Sequence, residues 1–134
     1  MVELRWDGAV EQKMQRKLRE ALLRGVLLLH NRARVLCSKP ARRVTRRSGS
    51  RTRTEYIPSR PGEPPALRTG FGRSSITFWE EGPLHFQVGI RQNGIYMAYL
   101  ELGTRYIAPR PWLSRALQET RDAILALVRS AAGT

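Results

Sequence analysis

Cysteine is almost missing from this chain of 134 residues, and histidine is scarce. Cys37 alone allows no intrachain disulfide, and with only His30 and His85 beside it there is no soft or imidazole ligand set for a metal. Long apolar runs are also missing. No stretch approaches about 18 apolar residues and no apolar run follows a basic start, so neither a membrane span nor a signal peptide is expected, and the expected environment is intracellular and reducing. Acids are few. Eleven Asp and Glu, scattered along the chain, provide no clustered carboxylates for a metal-dependent nuclease. Gly70-Phe71-Gly72 precedes an expected strand instead of opening a helix after one, so it is no phosphate cradle. No catalytic residue, no metal and no cofactor is expected.

What the chain has in excess is arginine. Twenty-four Lys and Arg give a net charge of +13, and residues 1 to 60 carry +11 of it. Twenty-one of the twenty-four bases are Arg, a bias that codon usage alone can produce. The length suits one domain with one real core, with a folded surface of roughly 7,100 Å² against roughly 22,000 Å² unfolded. The composition, 41% hydrophobic and 26% charged, is that of a globular protein.

Apolar residues at Val10, Met14, Leu18, Ala21, Leu22, Gly25, Val26, Leu29, Ala33 and Leu36 keep the three-and-four spacing of one helical stripe. The helix is expected from about Ala9 to Cys37, with Asp7 as N-cap and Pro40 beyond its end. At roughly 40 Å it outreaches one compact core, so part of its stripe is expected against a neighbouring element or subunit. Gly25 marks a close approach or a bend. Residues 38 to 70 are rich in Arg, Ser, Thr, Gly and Pro, and are expected to form a long, mobile basic loop ordered by assembly. Within it the alternation of Thr52, Thr54 and Tyr56 suggests a short strand or hairpin arm.

Ile76 and Phe78, then Leu84, Phe86, Val88 and Ile90, alternate with polar residues on either side of a turn expected at Glu80 to Pro83. They predict an antiparallel hairpin. Ile95 to Gly103 reads as one or two helical turns with Tyr96, Tyr99 and Leu100 on one face and Gly103 as a left-handed stop, a strand being the alternative. Pro111 suits the first position of a final helix striped by Trp112, Leu113, Ala116, Leu117, Ala123, Ile124, Leu127 and Val128. The fold class is α+β: a long N-terminal helix, a small antiparallel sheet and a C-terminal helix packed on the sheet.

Candidate functional residues divide between charge and backbone. Glu80 and Glu81 read as solvated turn residues, His30 as a surface or interface residue on the basic flank of the first helix, and His85 as facing solvent or a partner. Arg32 to Arg60 carries +9, enough to contact nucleic acid phosphates or an acidic protein partner, and both readings stay open. Arg42, Arg43, Arg46, Arg47, Arg51 and Arg53 are the residues such contacts would use.

Three stretches together resemble a known family. They are Ser59-Arg60-Pro61-Gly62-Glu63-Pro64-Pro65, Arg68-Thr69-Gly70 leading to Ser74-Ser75-Ile76, and Tyr96-Met97-Ala98-Tyr99-Leu100-Glu101-Leu102-Gly103-Thr104 followed by Ala108-Pro109-Arg110-Pro111-Trp112-Leu113 and Ala116-Leu117. In order and spacing this series resembles the tail-completion, or neck, proteins that join head to tail in long-tailed bacteriophages. The resemblance implies a structural virion protein, not an enzyme, assembled in the host cytoplasm into a homo-oligomeric ring of typically six copies around the DNA channel. Its implied partners are the head connector or stopper and the tail tube or tail terminator, with non-specific contact to genomic DNA and no membrane. It also implies structural or interface roles for Gly70, Tyr96, Tyr99, Glu101, Gly103, Thr104, Pro111 and Trp112, with Glu101 pairing an Arg of the next subunit, pairing within its own subunit or simply solvated. The reading of another class is a small basic DNA- or RNA-binding protein acting through Arg32 to Arg60.

Overall fold

The three-and-four spacing builds a single helix, α1 (Gly8–Leu36), about 43 Å long at 1.5 Å per residue. In the computed structural model, which describes residues 2–3, 8–67 and 70–133, Asp7 lies outside the described residues, as do Arg68 and Thr69. Two antiparallel hairpins follow, β1 (Arg42–Ser48) with β2 (Arg51–Ile57), and β3 (Ile76–Gly82) with β4 (His85–Ile90). One helical turn, α2 (Phe71–Ser75), leads into β3, and a 3-10 turn at Gln92–Gly94 leads from β4 into α3 (Ile95–Leu102). The chain ends on α4 (Leu113–Gly133). The architecture is α+β, as the patterning predicts.

α1 is the spine. α4 runs antiparallel along it, since Arg32 meets Glu119 while Gly25 lies against Ile124. The contact is close because the facing residues are small: a Cβ on Gly25 would sit 2.9 Å from Ile124 Cγ2, and Ala33 and Ala116 are fully buried. Gly25 thus marks a close approach. The β3–β4 sheet covers another side of α1 with Ile76, Phe78, Val88 and Ile90, which share one face because Ile76 pairs with Ile90 and Phe78 with Val88. Ile76, Cys37, Met97, Leu100 and Trp112 join Ala33 and Ala116 in the core, so the head of α4 meets the sheet there.

Several local expectations are corrected. Residues 42 to 57 form a full hairpin where a loop with one short arm is expected: the arm at Thr52, Thr54 and Tyr56 is β2, and Ser48-Gly49-Ser50-Arg51 closes a turn at Gly49 with φ +62°, so that every ladder pair from Arg42↔Ile57 to Ser48↔Arg51 falls into register. The β3–β4 turn lies at Pro83-Leu84, beyond Glu80 and Glu81, which extend β3 across a bulge where the register shifts between Glu80 and Gly82. Ser74 and Ser75 are helical, their hydroxyls donating back to the carbonyls of Phe71 and Gly72. α3 buries Met97 and Leu100 and leaves Tyr96 and Tyr99 exposed, because the core lies on the Met97 side. His30 is half-buried under the sheet, its Nε2 3.2 Å from the Ile76 carbonyl and its ring edge-on to Phe78, so it packs inside the fold.

Two backbone hydrogen bonds hold the turn before α3, from the Arg91 amide to the Ser75 carbonyl and from the Gly94 amide to the Arg91 carbonyl, both 2.8 Å. A Cβ on Gly94 would fall 2.2 Å from Ser75 Oγ, so no side chain fits there. Gly94→Ala is expected to destabilise the fold by about 1–3 kcal/mol, and the double variant Ser75→Gly/Gly94→Ala to recover part of that loss, read as urea midpoints. Burial, with the nearby Glu101 charge, pushes the Cys37 thiol up to about 12, Arg73 opposing weakly. Cys37 is therefore expected to stay unreactive toward Ellman's reagent at pH 8 until denaturant unfolds the chain.

Candidate assembly surface

The first and third of the stretches that carry the resemblance meet in space. Arg110 Nε donates to the Ser59 carbonyl at 3.1 Å, the Gly62 amide donates to the Pro109 carbonyl at 2.9 Å, and the Arg110 amide donates to the Leu100 carbonyl at 2.5 Å. Residues 58 to 67 therefore run as a strap between the base of the β1–β2 hairpin and the α3–α4 connection. The strap's far end is held by the Ala41 amide on the Leu67 carbonyl and the Leu67 amide on the Lys39 carbonyl, both 2.6 Å. Around it lies an open groove of about 380 Å³ lined by Ala41, Tyr56, Pro58, Tyr96, Leu100 and Arg110.

At the centre of this junction Glu101 caps α4. Its carboxylate accepts from the amides of Trp112 at 2.6 Å, Leu113 at 3.0 Å and Ser114 at 2.9 Å, the donors that a helix N-terminus leaves unpaired. Glu101 thus has partners within its own chain, as the intrachain alternative expects. Burial pushes its carboxyl up, but the hydrogen bonds from Ser114, Trp112 and Leu113 outweigh that and hold it below the usual carboxylate range. Pro111 sits two residues ahead of α4 and not at its first position, because the Glu101 cap fixes where the helix starts. Trp112 is the most deeply buried large side chain, and its indole N–H donates to the Met97 carbonyl at 2.9 Å.

The connecting turn depends on glycine and threonine. Gly103 has φ +76° and ψ +162°, an extended conformation at positive φ, where the expected stop was left-handed helical. A Cβ there would also lie 2.8 Å from Pro109 Cγ. Thr104 Oγ1 accepts from the amides of Tyr106 and Ile107 at 3.2 and 3.1 Å, closing the loop. Gly70, with φ +80°, starts α2.

Outward from this junction α3 shows an apolar face. Ile95, Tyr99 and Leu102 follow helical spacing on the exposed side beside Tyr96, Leu102 being 79% exposed, and Tyr106 in the loop beyond the helix is 87% exposed. At the far end of α1, Val10 and Met14 are likewise uncovered. The whole chain exposes 10314 Å², roughly 3,200 Å² more than a compact protein of its mass.

Two arginines of the body form ion pairs between elements: Arg19 binds Glu80 through two hydrogen bonds of 3.0 and 2.9 Å and lies over the Phe86 ring, and Arg32 binds Glu119. No local pattern announced these pairs, whose partners lie 61 and 87 residues apart. Arg42, Arg43, Arg46, Arg47, Arg51 and Arg53 all lie on the exposed β1–β2 hairpin, where, among the described residues, Arg46 alone has an ion pair, to Glu55 at 3.3 Å. Among the described residues no three His, Cys, Asp or Glu side chains form a group able to hold a metal, and no helix is long and apolar enough to cross a membrane. No family model, no curated protein and no solved structure matches the chain.

Glu101→Gln is expected to cost about 1 kcal/mol at pH 7. Because the folded carboxyl titrates below its unfolded value of about 4.3, the ionised form is the one folding favours. The difference between wild type and variant should be constant above about pH 5 and shrink as pH falls through the folded value, read from denaturant titrations at each pH. Gly103→Val is expected to unfold the junction, read as a lowered urea midpoint, since a β-branched residue is excluded at that φ.

Proposed function

We propose that this chain is a structural virion protein of a tailed bacteriophage. It acts as a tail-completion or neck component that associates side by side into a ring, typically of six copies, between the head connector or stopper and the tail tube or tail terminator. The ring encloses the channel through which the genome passes. Its work is docking, with no turnover.

The observation that carries this reading is the apolar outward face of α3, borne by the motif stretch itself on a chain with far more surface than its mass requires. A ring subunit has two flanks, and a standard interface takes about 800 Å² from each partner, so about 1,600 Å² per subunit would be covered on closure. The excess surface supports a demand of that size. The uncovered Val10 and Met14 at the α1 end add a second apolar site for a neighbour. The convergence of the strap, α3 and the α3–α4 connection supports the resemblance as well, because residues distant in sequence act there as one unit.

The test is native mass spectrometry with negative-stain microscopy of the purified chain, alone and with virion partners. Wild type is expected to form closed rings of one stoichiometry. Ile95→Asp/Leu102→Asp is expected to remain monomeric with unchanged helix content, because both positions are exposed in the single subunit. A wild-type chain that stays monomeric at every concentration and enters no particle would overturn the reading.

A further inference from the structure

The β1–β2 hairpin projects as a two-stranded ribbon in which every residue from Thr45 to Thr54 is exposed. Its register sorts the arginines. Arg42, Val44, Arg46 and Ser48 share one face with Arg51, Arg53, Glu55 and Ile57, while Arg43, Thr45 and Arg47 share the other with Thr52, Thr54 and Tyr56. Both faces are therefore cationic, and Arg46 stands directly opposite Arg53, a like-charge pairing that weakens a hairpin. Arg42, Arg43, Arg47, Arg51 and Arg53 have no carboxylate partner among the described residues. The ribbon holds five uncompensated cations along strands about 23 Å long.

We propose that this ribbon is a binding arm for duplex DNA, lying along the major groove with its two arginine faces toward the two flanking phosphate backbones and reading no base. B-form DNA has a major groove about 12 Å wide that admits a two-stranded ribbon, and 23 Å of ribbon covers about seven base pairs. Thr45, Ser48, Thr52 and Thr54 add hydroxyls, the neutral donors that commonly accompany arginine on phosphate. The other occupants fit less well. A folded protein partner needs apolar or aromatic anchors, and residues 45 to 54 contain none. Strand addition by a second copy would bring arginine faces together. Single strands need stacking platforms, and Tyr56 at the ribbon's base is its one aromatic. Duplex RNA has a major groove too narrow to enter.

The inference stands on the ribbon alone and holds for a lone subunit as for a ring. Fluorescence anisotropy with a labelled duplex of mixed sequence tests it. Five phosphate contacts give a slope of log affinity against log salt near −4.5, or a loss of roughly 500-fold between about 50 and 200 mM. Arg43→Ala/Arg47→Ala/Arg51→Ala/Arg53→Ala is expected to reduce the slope to about −1, with helix content unchanged. Arg16→Ala/Arg24→Ala/Arg121→Ala/Arg129→Ala, which removes the same charge from the helices, is expected to leave it intact. Hydrogen exchange of the wild-type chain gives an independent reading: added duplex should protect amides of residues 42 to 57. Equal weakening by both variants, protection confined to other segments, tighter binding to single strands or duplex RNA, or equal competition by polyglutamate would each overturn the proposal. Subunits that bind duplex as expected but never associate would overturn the assembly reading and leave this one standing. Rings that form without duplex binding would do the reverse.

Discussion

Glu101 and Trp112 hold the junction on which the rest of the fold depends. The carboxylate at the end of α3 accepts from the first amides of α4, and the indole at the head of α4 donates to the Met97 carbonyl within α3. The two helices are thus locked in both directions, one bond set electrostatic and half-buried, the other deep in the core. With α4 fixed at its N-terminus, its antiparallel run along α1 follows, and with α3 fixed, the Met97 and Leu100 face closes the core against Cys37 and Ile76. The strap at residues 58 to 67 then has a surface to lie on.

The core so formed is small for the chain's length, and small residues are what let it close. Gly25 against Ile124, Gly72 against Met97 and Gly94 against Ser75 are contacts where a Cβ would have to displace its neighbour. Close approach at these points gathers the core at one end of two long helices. The far part of α1, the outward face of α3 and the whole ribbon are left outside it. That distribution, more than the excess area by itself, is the physical basis for reading the subunit as one made to be covered by others.

Charge follows the same division. Arg19 and Arg32 are matched to Glu80 and Glu119 across elements of the body, holding those carboxylates low and tying α1 to the sheet and to α4. These pairs are solvent-exposed, so they contribute alignment more than stability. The ribbon has one acid for six arginines, and that acid, Glu55, pairs with Arg46. An arm that repels itself and buries nothing is a marginal structure alone, and a polyanion would relieve that repulsion.

Periodicity alone was enough for α1, for β3 and β4 and for α4, because each keeps one apolar stripe long enough to declare its repeat. The spacing of proline, glycine and glutamate between residues 59 and 117 was legible as a motif series. Sequence did not reveal that the series meets itself in space, that Glu101 caps a helix eleven residues on, or that His30 lies under Phe78. Nor did it decide which side of α3 faces inward, since Tyr96, Tyr99 and Leu100 look as apolar in the sequence as Met97. Local pattern depends on neighbours within a turn or a strand, and so the chain by itself determined its elements and its lopsided charge. Tertiary structure decided which carboxylate meets which amide, which arginines are matched and which apolar face is left bare, because those outcomes depend on packing between residues that the sequence keeps tens of positions apart.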